Sequence, residues 1–241
     1  MTCIDATGLS FRQVNEAIAA AKDADVLLEH ALGQRYIGAG SAGRRIRIEG
    51  VPGNALGAYL DGTRIEVAGN AQDATGDTMN DGTIFIHGSS GDATGYAMRG
   101  GRIYVEGSTG YRAGIHMKAY QEKKPVLIVG GTAGSFLGEY QAGGLIVVLG
   151  LDRGDKPIVG NFCGTGMHGG KMFLRTDALP PDLPKQVKGG KAGGKGGKGH
   201  AGGSGGDRPL SSGVLRGVPQ AHGGDPHRDL SGADAGYGKP L

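Results

Sequence analysis

Apolar residues pair at positions i and i+2 along the chain: Ile46/Ile48, Ile65/Val67, Ile84/Ile86, Ile103/Val105, Leu127/Val129, Ile146/Val148 and Met172/Leu174. Alternation of this period predicts short strands with one face turned inward. The intervals between pairs are too long for two-residue hairpin turns, and every repeat runs in the same sense. The strands are therefore expected to stack in parallel, about 4.8 Å apart, as successive coils of a solenoid.

Glycines mark the same beat. Gly50, Gly69, Gly88 and Gly107 lie 19 residues apart, as do Gly57, Gly76, Gly95 and Gly114. After an insertion around Gln121 to Pro125 the ladder resumes at Gly131 and Gly138, and a second insertion near LDRGDKP delays the last coil. Corners that need positive φ or close coil-to-coil approach explain these glycines as structural turns. A six-residue aliphatic beat, the mark of the left-handed hexapeptide solenoids, is absent. The expected fold is all-β: a right-handed parallel β-helix of about seven coils.

The residue between each inward pair points outward, and its character changes along the chain. Arg47 and Glu66 are charged, whereas Phe85, Tyr104, Ile128, Val147 and Phe173 are apolar or aromatic. PVLIV and LIVVL are apolar on both faces, which implies that something covers the exterior there. SFRQVNEAIAAAK, with Ser10 and Gln13 in capping-box spacing and Phe11, Val14, Ile18 and Ala21 on one face, predicts a helix able to cover part of that patch. Two strands exceed what one short helix hides, so a partner subunit is the preferred cover.

Composition divides the chain further. Glycine supplies 51 of 241 residues, far above the usual fraction of about 7%. From Lys185 onward nine Lys/Arg face four Asp/Glu, so the net charge of +3 belongs to this tail. Rich in Gly, Lys and Pro, the tail cannot bury enough apolar surface to fold, and disorder is expected over 185–241. It lacks interleaved aromatics, so specific nucleic-acid binding is not expected. The expected organisation is a helical lead-in over 1–43, the β-helix over 44–184, and the tail. No apolar run reaches the roughly 20 residues needed to cross a bilayer, and no secretory signal opens the chain, so a cytoplasmic protein without a membrane partner is expected.

Candidate chemistry is sparse. GTGMHGG, Gly164 to Gly170, contains a literal G-x-G-x-x-G, but it leads into the strand KMFLR where a dinucleotide loop must open a helix. Cys163 and His168 are a possible pair of metal ligands, too few to define a site. Arg112 and His116, in GYRAGIHMK, together with Cys163 and His168, complete the candidate interface residues. No catalytic, cofactor or metal residues are assigned.

Several ordered stretches, GQRYIGAG, GNAQDATGDTMNDG, GYAMRGGRIYVEG, GYRAGIHMKAY, LGEYQAGG and GTGMHGG, resemble the glycine-repeat (GXGXG) domain of the glutamate synthase large subunit in its free-standing form. The same repeat is similar to the solenoid subunit of formylmethanofuran dehydrogenase, to its formyltransferase/hydrolase counterpart, and to one of the subunits of N-methylglutamate synthase. The resemblance implies a right-handed β-helix that organises an oxidoreductase complex. It also implies partners that carry the glutaminase and synthase chemistry, with FMN and an iron–sulfur cluster held there and no cofactor here. A stand-alone binding protein or enzyme that uses the solenoid surface is the alternative of another class.

Overall fold

The computed structural model describes residues 1–177, 180–183 and 212–213. They form a mostly β protein with one short helix, in the order β1 (Thr2–Asp5), α1 (Phe11–Ala20), β2 (Asp25–Leu32), β3 (Arg45–Val51), β4 (Asp61–Val67), β5 (Asp81–Ile86), β6 (Arg102–Val105), β7 (Val126–Val129), β8 (Ala142–Val148), β9 (Gly169–Leu174) and the two-residue β10 (Ser212–Gly213). All pair in parallel in one sheet whose spatial order equals the sequence order. Apart from β10, the tail expected to be disordered lies outside the described residues. No helix among the described residues is long and apolar enough to cross a membrane.

Register follows the apolar beat. Ile46, Ile65, Ile84 and Ile103 stand opposite one another, and the column continues through Leu127, Ile146 and Met172 across the two insertions. Each of these side chains is buried, as are the second members of the pairs. Opposite them in the core lie Leu56, Leu60, Met79, Met98, Met117 and Met167. Gln141 interrupts the methionine column; it is fully buried, and its Nε2 donates to the Gly143 carbonyl at 3.0 Å.

Between strands the chain turns through residues of positive φ. In each turn three alternate positions are left-handed, as at Ala55, Gly57 and Tyr59 or at Phe136, Gly138 and Tyr140. This alternation lets the backbone bond in both directions along the stack. Ala55 N–H donates forward to Asp73 O at 2.9 Å, Gly57 N–H backward to Ile37 O at 2.9 Å, and Tyr59 N–H forward to Asp77 O at 2.8 Å. Buried peptide groups are thus satisfied without a regular strand.

The two glycine series serve different needs. Gly57 has φ +61°, and a Cβ there would lie 2.8 Å from Ile84 Cδ1. Gly107 has no positive φ, but a Cβ would meet Gly88 O at 2.8 Å, so it is close stacking of backbone on backbone that excludes a side chain.

The first 43 residues depart from the expected helical lead-in, because they add β1 and β2 to the same sheet. Ile4, Val26 and Leu28 are core residues. Their pairing offsets, Thr2 to Val26 and Asp25 to Arg45, differ from 19, so the strand repeat does not announce them, although Gly38 in the β2–β3 turn is left-handed like Gly57. Helix α1 forms as expected, with Ser10 Oγ accepting from Gln13 N–H and Gln13 Oε1 accepting from Ser10 N–H. Its buried residues Val14 and Ile18 join the core beside β1 rather than covering the outer apolar patch. Arg44 holds the helix end by donating to the carbonyls of Ala19, Ala21 and Asp23. The helix is the crossover of a β-α-β unit.

Candidate interaction surface

The outer face of the sheet is built by the residues between the inward pairs. In its early rungs charges pair along and across strands: Arg45 with Asp25, Arg47 with Glu49 at 3.8 Å, and Arg64 with Glu66 at 3.4 Å. His87 lies between Glu106, at 2.8 Å, and Glu66, at 3.4 Å. Burial pulls the His87 pKa down, but the hydrogen bonds and charges of the two carboxylates outweigh it and leave the value raised.

From Phe85 onward the face changes. Phe85 and Tyr104 stack with centroids 4.7 Å apart, and the Arg64 guanidinium caps the Phe85 ring at 4.4 Å. Tyr104, Ile128, Val147 and Phe173 then stand opposite one another in register. Val147, expected to point outward, is only 7% exposed, because Ile128 and Phe173 flank it on the neighbouring strands. The other four are half-buried. Val126 and Leu145, also half-buried, extend the apolar strip sideways.

Four residues expected at the interface are not on this face. Arg112 and His116 lie at a corner of the stack, both exposed and both at φ +56°. His168 is exposed at the corner of the last turn, with Nδ1 3.1 Å from Gly166 O. Cys163 is fully buried, so it cannot contribute to an exposed interface: its Sγ lies 3.4 Å from Met172 Sδ, and burial pushes the thiol pKa up to about 12. The Cys163 thiol and His168 imidazole therefore have different partners. Among the described residues no three His, Cys, Asp or Glu side chains converge as a metal site.

The corner also contains aromatic residues that the apolar beat does not single out. Arg112, Phe136 and Phe162 occupy one left-handed column, with the guanidinium 4.9 Å from the Phe136 ring and the two phenyl rings stacked at 5.0 Å. His116 and Tyr140 occupy the parallel column, stacked at 5.3 Å, with Tyr96 edge-on to His116 at 5.9 Å. Aligning the coils on their glycines places Phe136 beneath Arg112, so the signal was present in the repeat.

One hollow among the described residues, about 570 Å³, is lined by residues that include Thr7, Ser10, Gln13 and His30. Ser10 and Gln13 are engaged in the helix cap, and His30 is held by Asp5 at 3.0 Å. Hydrogen bonds from Thr7, then from His30, lower the Asp5 pKa to about 2. G-x-G-x-x-G also fails as a nucleotide cradle, because Gly169 begins strand β9.

Comparison with known proteins adds three findings. The GXGXG motif model matches residues 13–186. An uncharacterised protein of Methanocaldococcus jannaschii is 47% identical over 182 residues, which cover 71% of this chain and 70% of its own length. A chain in the crystal structure of the formyltransferase/hydrolase complex from Methylorubrum extorquens, in complex with methylofuran, is similar in fold, with a TM-score of 0.55 and 19% identity over 77% of this chain and 76% of that one.

Proposed function

The chain belongs to the GXGXG motif family, and on that premise we propose that it is a right-handed parallel β-helix serving as a non-catalytic subunit of a multi-subunit enzyme complex. One observation carries the reading: the outer sheet face passes from paired charges to an apolar strip along Tyr104, Ile128, Val147 and Phe173, while the core beneath stays the same. Folding needs only the inner face. An apolar outer strip on a stacked-repeat protein serves association. The β1-α1-β2 crossover supports the right hand, since such connections are right-handed in about 98% of cases.

Of the two kinds of complex, a formyltransferase/hydrolase-type assembly is favoured over a glutamate synthase. The similar solved chain comes from an assembly of the first kind. FMN, an iron–sulfur cluster and a glutaminase-type partner belong to the second reading and are not required by the first. Affinity purification of the chain from its native host, followed by identification of co-purifying subunits, tests both. Formyl-transfer and hydrolase subunits are expected. Recovery of glutaminase and flavin subunits would reverse the preference, and recovery of the chain alone with turnover of its own would overturn the subunit reading.

A further inference from the structure

The turns bond along the stack in a fixed pattern, and the pattern defines what each end lacks. The first left-handed residue of a turn donates its N–H forward to a carbonyl of the next coil, as Ala55 does to Asp73 O at 2.9 Å and Phe136 to Asn161 O at 2.8 Å. The glycine two residues on donates backward, as Gly57 does to Ile37 O at 2.9 Å and Gly164 to Leu137 O at 2.8 Å. Behind the first turn lies helix α1 instead of a coil, and ahead of the last turn lie residues 180–183. Gly38 N–H and Phe162 N–H therefore need acceptors of another kind.

Both acceptors are side chains. Asn15 Oδ1, on α1, takes the Gly38 N–H at 3.1 Å, and Asn15 Nδ2 donates to Arg35 O at 3.4 Å. Arg35 precedes left-handed Tyr36 as Asp73 precedes left-handed Ala74, so its carbonyl is the one that a preceding coil would bond. One carboxamide thus replaces a peptide group of a missing coil, donor and acceptor together. Its second N–H returns to Phe11 O at 2.8 Å, which fixes it on the helix. At the far end Asp182 Oδ2 accepts the Phe162 N–H at 2.6 Å, where a next coil would offer its carbonyl. Leu183, only 2% exposed, follows it into the hydrophobic core.

We infer that Asn15 and the Asp182–Leu183 pair are end caps: each copies part of an absent coil, and the second closes the last coil against a second copy of this chain. Partners are left the sides of the stack. An open end exposes peptide groups and core side chains, the template on which another sheet adds. The last coil buries Cys163, Met172 and Leu174, so an end stripped of its cap is apolar and matches the same end of a second copy across a two-fold axis. The sheet alone does not close it, since β10 pairs with only Met172 and Phe173 of β9. The inference does not rest on the apolar strip or on the identity of the complex.

The test uses the full chain, with amide hydrogen exchange, thermal melting and sedimentation velocity. D182A should make the Phe162 amide exchange roughly tenfold faster and lower the melting temperature by about 2–4 °C. D182N keeps an oxygen acceptor and should do neither. N15A should act on the Gly38 amide as D182A acts on Phe162, whereas N15D, which keeps the acceptor, should leave Gly38 protected. The D182A/L183S double substitution should produce a dimer that grows with protein concentration and is absent from wild type and D182N. Unchanged exchange at Phe162 in D182A, or an equal gain in D182N, overturns the copied carbonyl. A folded double variant that sediments as wild type overturns the exclusion of a second copy. The single substitutions keep the test open if the double variant fails to fold.

Discussion

Rungs β3 and β4 and rungs β5 to β9 bury the same kind of interior and present opposite exteriors. Inside, Ile46 and Ile65 are matched by Ile84, Ile103, Leu127, Ile146 and Met172, all fully or almost fully buried. Outside, Arg47 and Glu66 give way to Phe85, Tyr104, Ile128 and Phe173. Since the inward strand residues stay apolar and buried throughout, the demands of folding do not account for the exterior difference, and on the proposed reading the late half is the half that meets a partner.

The largest expected effects would break the claim that both interiors are equivalent. Ile65→Ala and Ile146→Ala should each cost about 2–5 kcal/mol by denaturant unfolding. A loss at Ile146 below about 1 kcal/mol would mean that the late rungs are loosely packed. Gly107→Ala, whose new Cβ meets the Gly88 carbonyl, should cost about 1–3 kcal/mol.

Exterior substitutions sharpen the contrast. Ile128→Asp should leave the melting temperature within about 3 °C of wild type yet abolish recovery of partner subunits, whereas Arg47→Asp should leave recovery unchanged. Equal loss of folding and of recovery at Ile128 would return that strip to a structural role. Cysteine chemistry separates interior from exterior: a thiol reagent should label exposed Cys3 at once, and Cys163, held protonated by burial, only after unfolding.

The smallest effect concerns the early, charged face. Because the folded pKa of His87 lies above its ordinary value of 6.5, the stabilisation is complete below that value and is lost as pH rises through the folded pKa. Melting temperature should fall slightly as pH is raised above 6.5, and His87→Gln should flatten that slope. The effect is small because the group is partly exposed.

Strands β3 to β9 were legible because a buried face forces alternation and a constant coil length repeats it. β1 and β2 were not, since α1 makes their crossover irregular and Gln34 stands where the corresponding turn of the next coil has Gly53. The outer strip could be read from the middle residue of each apolar pair. The corner could not be read from the same rule, because its exposed side chains, such as Arg112 and His116, lie on either side of a turn glycine and not between two apolar residues. Cys163 looked available in sequence because it follows Phe162 in a polar loop, yet it faces Met172 in the core.

Lys123 gives the stack an unexpected mechanical property. It comes from the insertion before β7, yet its Nζ reaches Asp81 at 3.3 Å and Asp61 at 3.5 Å, on the rungs β5 and β4. Neighbour-to-neighbour ladders part like a zipper when pulled from one end, one rung at a time. A side chain that straps across several rungs converts part of that peeling into shear, in which several contacts must fail together. Force applied along the stack should therefore meet its first pronounced resistance at the middle of the ladder, in the segment that separates the charged half from the apolar one.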